Sequence, residues 1–184
     1  MPFRQPEHVV SDLKRVIDSR NSSDIRLKAN GGNSILVVCE PEREHSFIEA
    51  IEELSPDKYQ IIDVNQCLIE FVNDNHDSLN DLFDLLQSSV GQIFKSPEGE
   101  TTLDLFKLLI GKVSSVFDSG SIPVLINSGA LYGTGIDNIH LMEDKVVMES
   151  QLPLVILYPA EKNKEELLFL GKRHASKYRC MVIQ

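Results

Sequence analysis

Apolar residues recur along this chain in two rhythms. Behind Pro6, the residues Val9, Val10, Leu13, Val16 and Ile17 fall at three- and four-residue steps. That spacing predicts a helix, and its first turn tolerates a proline because the missing N–H has no partner there. Ser34 to Cys39 (SILVVC) is instead an unbroken apolar run ended by Pro41. A strand buried on both faces reads this way. Phe47, Ile48, Ile51 and Leu54 predict a second helix that stops near Pro56, and Tyr59 to Val64 (YQIIDV) a second strand.

The alternation continues. Leu79, Leu82, Phe83, Leu86, Val90, Ile93 and Phe94 lie on one face of a long helical region, with Asp77 or Ser78 as its cap. Ser96-Pro97-Glu98-Gly99 reads as a turn. Thr102 is placed to cap the next helix, whose apolar face is Leu105, Phe106, Leu109, Ile110, Val113 and Phe117. Ile122 to Asn127 (IPVLIN) is a third strand, and Ser128 to Gly135 (SGALYGTG) a glycine-rich loop or helix start. Ile139, Met142 and Val146 predict a helix to about Glu149. Leu154 to Tyr158 is a fourth strand stopped by Pro159, Glu165 to Leu170 a short helix, and Tyr178 to Ile183 a fifth strand.

Strands that are apolar throughout and alternate with helices predict an α/β fold. The expected form has three layers, a mostly parallel five-stranded sheet with helices on both faces. It is P-loop- or Rossmann-like in type but without a Walker A loop. Two units are expected: residues 1–33, an N-terminal helix followed by a polar linker from Asn21 to Asn33, and residues 34–184, the α/β domain.

Composition supports a folded chain of this class. Of 184 residues, 42% are apolar and 25% charged, so disordered and fibrous classes are excluded. No apolar stretch approaches the length of a membrane span, and the first residues lack a basic-then-apolar leader. Cys39, Cys67 and Cys180 are widely spaced, and Cys39 and Cys180 sit in strand-like runs, where thiols pack as small hydrophobes. A cytoplasmic location is expected, with no membrane partner.

Charge is distributed unevenly. The chain carries 18 Lys and Arg against 28 Asp and Glu, for a net charge of −10. Residues 1–30 and 161–184 are mildly basic, and the whole excess of acid lies between them. An acidic middle repels a phosphate backbone, so direct nucleic-acid binding is not expected. The C-terminal cluster Lys172, Arg173, Lys177 and Arg179 has the charge to touch phosphates, although a cluster of this kind is more often simply exposed to solvent.

In open α/β sheets, ligands bind beyond the carboxyl ends of the strands. Those positions are Glu40, Asp63, Ser128-Gly129 and Pro159. The candidate ligand loop uses Ser128, Gly129, Gly133 and Thr134, because glycines let backbone N–H groups approach a phosphate. Asp63 or Glu40 would stand near an accompanying cation. Against this reading, no Gly-Lys-Ser or Gly-Lys-Thr occurs in the chain. Histidines and cysteines lack zinc spacing, and no G-x-S-x-G elbow is present. No catalytic set, metal site or cofactor is predicted.

Several segments resemble the BrxB family. They are Leu154-Val155-Ile156-Leu157-Tyr158-Pro159, Leu168-Phe169-Leu170-Gly171, Tyr178-Arg179 before a terminal apolar strand, and the strand running into Gly129-Ala130-Leu131-Tyr132. Ile35-Leu36-Val37-Val38 followed by an acidic helix fits as well. The resemblance covers roughly residues 34–184. Here Gly133-Thr134-Gly135 follow Tyr132 where bulky residues are expected.

BrxB proteins are small core components of BREX bacteriophage-exclusion systems, without an accepted enzymatic activity. The resemblance therefore implies a bacterial or archaeal host, antiviral defence, and a non-catalytic adaptor that docks other BREX components. A PglZ-like protein is the first partner it implies. Glu44, Phe47 and Glu52 on the second helix, and the helix from Asp77 to Phe94, are the candidate docking contacts. The alternative is a nucleotide- or phosphate-binding protein that uses the glycine-rich loop.

Overall fold

A computed structural model describes residues 4–19, 22–87, 89–97, 99–163 and 166–184. The strands are β1 (Ser34–Cys39), β2 (Tyr59–Asp63), β3 (Ile122–Ile126), β4 (Leu154–Asn163), β5 (Glu166–Phe169), β6 (Arg173–His174) and β7 (Cys180–Ile183). Five of them form the predicted parallel sheet, in the order β2-β3-β4-β1-β7. Ser34 is in register with Leu154 on one side and Cys180 on the other. Tyr59 is in register with Ile122, and Val124 with Val155. The far end of β4 runs past the parallel sheet and pairs antiparallel with β5, which pairs with β6.

Helices cover both faces. The first three are α1 (Pro6–Asp18), α2 (Ser22–Lys28) and α3 (Glu44–Glu52). They bury Val9, Leu13, Ile25, Phe47 and Ile51 against Ile35, Val37 and Val155. The other face carries α4 (Val64–Asp74), α5 (His76–Leu85), α6 (Gly91–Phe94), α7 (Leu105–Asp118), α8 (Asn138–Met142) and α9 (Lys145–Glu149). There Cys67, Phe71, Leu105, Leu109 and Met142 close over Leu36, Leu125 and Ile156. Successive strand side chains point to opposite faces, so a strand covered twice has no polar position to spare. This is why β1 is buried at all six residues.

Helix starts follow local chemistry. Asp63 caps α4 by accepting the Gln66 N–H, and Asp104 caps α7 by accepting the Lys107 N–H. The cap of α7 is therefore Asp104 and not Thr102. The linker expected from Asn21 to Asn33 contains α2, whose Ile25 reaches the core. The long helix expected through Phe94 is two helices, α5 and α6, and α4 precedes them. The helix expected from Ile139 to Glu149 is divided into α8 and α9, the second capped by Asp144. The short helix expected at Glu165 to Leu170 is strand β5, because the overrunning end of β4 offers it a hydrogen-bonding edge; Glu165 itself lies outside the described residues, as does Glu98 of the predicted turn. The fifth strand of the parallel sheet is Cys180–Ile183, shorter than expected because Tyr178 and Arg179 form a turn. Among the described residues, no helix is long and apolar enough to cross a membrane.

Candidate functional site

The carboxyl ends of the parallel strands bring the sequence candidates to one rim. Asp63, at the end of β2, accepts the Gln66 N–H at 3.1 Å on one oxygen and Asn127 Nδ2 at 2.9 Å on the other. Asn127 itself follows β3 in the left-handed region, with φ 54°. Glu40 leaves β1 and pairs with Arg43 at 3.6 Å. Glu44 opens α3 one turn later, and its Oε1 is buried with no partner among the described residues. Burial, and then the charge of Asp63, push the Glu44 carboxyl above its ordinary value. Glu40, Glu44 and Asp63 thus bring three carboxylates to the rim, and the guanidinium of Arg43 is already paired with Glu40.

The glycine-rich segment is a chain of tight turns. The N–H groups of Ala130, Tyr132 and Thr134 donate to the carbonyls of Asn127, Gly129 and Leu131. Ser128 is 1% exposed, and its hydroxyl donates to the Leu157 carbonyl of β4 at 2.7 Å. Thr134 is also buried. Its hydroxyl donates to the Leu131 carbonyl at 2.7 Å and accepts the Ile136 N–H at 3.2 Å. A Cβ on Gly129 would come within 3.6 Å of Leu170 Cδ2, so a side chain already occupies the space before it. Gly133 needs no room but does need its φ of +86°, which turns the chain.

The hydroxyls of Ser128 and Thr134 and three of the N–H groups of the loop are therefore spent on the chain's own carbonyls. The space beneath the loop, between Ser128, Tyr158 and Phe169, is a cavity of about 10 Å³, smaller than any nucleotide. Tyr132 stands at its edge, 51% exposed, with the Arg173 guanidinium over its ring. Arg173 pairs with Asp137 at 2.7 Å, and Arg179 pairs with Glu143 at 3.8 Å and donates to the Asn30 carbonyl. Both arginines of the C-terminal cluster thus have acidic partners within the chain.

The partner-contact candidates separate. Phe47 is 4% exposed and belongs to the core under α3, so its ring is not presented to a partner. Glu52 is exposed, and Glu44 is half-buried on the rim just described. Phe83 and Leu85 of α5 are exposed, the latter at 78%, beside Asp81 and Asp84.

A second surface was not singled out by sequence. Ile62 of β2 and Leu103, Leu108, Gly111, Lys112 and Val116 of the α7 segment line a groove of about 540 Å³. Leu103 is 60% exposed at its mouth. The ammonium of Lys112 is held by Glu70 of α4 at 2.7 Å. The only sequence signal was a glycine in the middle of a helix, where alanine would be more stable.

All three cysteines are free and buried. Burial pushes the Cys180 thiol up to about 12, so it stays protonated at neutral pH. Among the described residues, no three His, Cys, Asp or Glu side chains are placed to hold a metal ion. Comparisons of the chain with protein-family models, curated proteins and solved structures find no match.

Proposed function

We propose that this chain is a non-catalytic docking component of a BREX phage-defence assembly, with a PglZ-like protein as its first partner. The reading rests on the resemblance carried by Leu154 to Pro159, Leu168 to Gly171 and Tyr178-Arg179. The observation that carries the docking role is the exposure of large apolar side chains within the acidic stretch of the chain. Ile61, Ile69, Phe83, Leu85 and Leu103 are five of the eight large hydrophobic side chains exposed among the described residues. All five fall between residues 57 and 118, a stretch with 11 Asp and Glu against four lysines. Apolar area rimmed by charge is characteristic of surfaces that meet another protein.

The test is co-expression with a PglZ-like protein of a BREX system, followed by gel filtration. A complex of fixed ratio is expected. Separate elution of the two proteins at micromolar concentration, with both folded, overturns the reading.

A further inference from the structure

We infer that the open edge of β2 pairs with β2 of a second copy of this chain, antiparallel, about a two-fold axis at Ile61. Two parallel sheets then become one continuous sheet. This pairing stands apart from the docking role proposed above, which concerns a different partner.

The direction of the backbone groups is the central observation. β2 is the outermost strand of the order β2-β3-β4-β1-β7, so one of its sides has no neighbouring strand. The Lys58 carbonyl accepts the Ile122 N–H at 2.8 Å, and Tyr59 is in register with Ile122. Alternate residues of a strand turn their backbone groups to opposite sides. Gln60 and Ile62 therefore bond β3, while Tyr59, Ile61 and Asp63 turn their N–H and carbonyl groups outward. Some of these are already used. The Tyr59 N–H donates to the Ser55 carbonyl at 2.9 Å, and the carbonyl of Asp63, as N-cap, accepts the first hydrogen bond of α4. The Ile61 N–H and carbonyl, the Tyr59 carbonyl and the Asp63 N–H have no partner among the described residues.

That remaining set identifies the occupant. In an antiparallel pair centred on Ile61, the two Ile61 residues exchange N–H and carbonyl. Each Asp63 N–H then meets the Tyr59 carbonyl of the other copy. The bonds that would complete the ladder run from the Tyr59 N–H to the Asp63 carbonyl, and these are the groups already spent. The free donors and acceptors thus satisfy one another under a two-fold axis. Side chains agree with the pairing. Ile61 faces Ile61, Tyr59 faces Asp63 and Gln60 faces Ile62, so no like charges stand opposite.

The edge is also unguarded and within reach. Sheet edges are commonly blunted by charge or by a covering element. The β6 edge carries Arg173 and His174. Along β7 pack α1 and α2, and Arg4 donates to the Gln184 carbonyl at 3.3 Å. β2 instead exposes Gln60 and Ile61 at its middle, with no charge between its ends. Ile61 is 39% exposed on one face. On the other, the groove of about 540 Å³ beside α7 opens over Ile62.

The purified full-length chain is its own probe. In about 0.15 M salt, which screens the net charge of −10, sedimentation equilibrium is expected to show a dimer at about 100 μM. Amide exchange read by NMR is expected to slow about tenfold or more at Ile61 and Asp63 as the chain is concentrated from about 5 to 500 μM. The Gln60 and Ile62 amides, bonded to β3 throughout, should change by less than about twofold. Ile61→Lys sets two ammonium groups opposite each other and is expected to weaken the dimer about tenfold or more, with its fold checked by circular dichroism. Leu85→Lys, at an exposed site on α5, is expected to change association by less than about twofold. A chain that stays monomeric to about 500 μM overturns the inference. So does a dimer that folded Ile61→Lys leaves intact, or one that Leu85→Lys abolishes. Slowed exchange at Ile61 and Asp63 that requires a PglZ-like protein and leaves this chain monomeric also overturns it, since the edge then takes a strand of a different chain.

Discussion

Two carboxylates at helix starts, Asp104 before α7 and Glu44 at the head of α3, are withdrawn from water and meet opposite fates. Asp104 is almost wholly buried, and four donors converge on it. The Ser96 N–H lies at 2.9 Å, the Lys107 N–H at 2.7 Å and the Lys107 ammonium at 3.3 Å, and the Ser96 hydroxyl completes the set. Burial pushes its pKa up, but these hydrogen bonds together bring it below the ordinary aspartate value. Glu44 is less buried, yet its Oε1 has no donor among the described residues, and the charge of Asp63 adds to the effect of burial. Its pKa rises. Burial alone does not decide how a carboxylate behaves; the supply of donors does.

The same contrast separates the glycine-rich loop from the groove beside α7. Around the glycine-rich loop, hydroxyls and N–H groups are consumed by the chain itself. Over Gly111, the chain leaves space that nothing of its own fills.

The comparison breaks most visibly at Asp104. Asp104→Ala removes the cap of α7 and strands the backbone N–H groups of Ser96 and Lys107, so a loss of about 2–4 kcal/mol is expected in urea unfolding. A loss under about 1 kcal/mol would mean that water replaces the carboxylate and that the donor set is not what holds the segment.

Ser128→Ala tests whether the loop hydroxyl is structural. It leaves the Leu157 carbonyl without its side-chain donor, and a loss of about 1–2 kcal/mol is expected. An unchanged stability would return Ser128 to the list of groups free to meet a ligand.

Glu44→Gln should act in the opposite sense, with a gain of about 1 kcal/mol or less at pH 7. The raised folded pKa means that the stability linked to this group is present below the ordinary glutamate value and is lost as pH rises through the folded value. The variant and the parent should therefore converge in acid and separate toward neutrality. Parallel curves would show that Glu44 is not strained.

The smallest effect is expected at His140. Its Nδ1 accepts the Asp137 N–H at 2.9 Å, and burial, followed by the charge of Lys95, lowers its pKa. The sign is the reverse of that for Glu44. Its contribution is whole above the ordinary histidine value and is lost as pH falls through the folded value. His140→Gln should flatten stability between about pH 7 and 5 by about 0.5 kcal/mol.

Much of this architecture was legible in the residues. The unbroken run Ile35 to Cys39 could only be a strand covered twice, and the face of Leu105, Leu109 and Val113 placed α7. What escaped reading depended on neighbours distant in sequence. Glu166 to Phe169 has the leucines and glutamate of a helix and becomes a strand only because β4 overruns the sheet. Val64 continues the apolar run of Tyr59 to Asp63 and so reads as strand, although it is the first residue of α4.

At the candidate site, the glycines correctly marked turns, but the sequence did not show that Ser128 and Thr134 would spend their hydroxyls on carbonyls. Phe47 looked like a contact because its helix is acidic, and tertiary packing buried it. Leu103 and Gly111 were invisible as a groove, since the exposure of an apolar residue is a property of the assembled layers.

The position of β1 has a consequence for how the molecule is made. Ser34 is flanked in the finished sheet by Leu154 and Cys180, so both neighbours of this apolar strand leave the ribosome long after it. Until β4 and β7 emerge, β1 has two open edges and no permanent mate, the state most prone to pairing with other chains. The high contact order of this arrangement makes closure slow. Emergence of β7 is then the event that lets the parallel sheet close, and a nascent-chain chaperone would have the most to shield just before it.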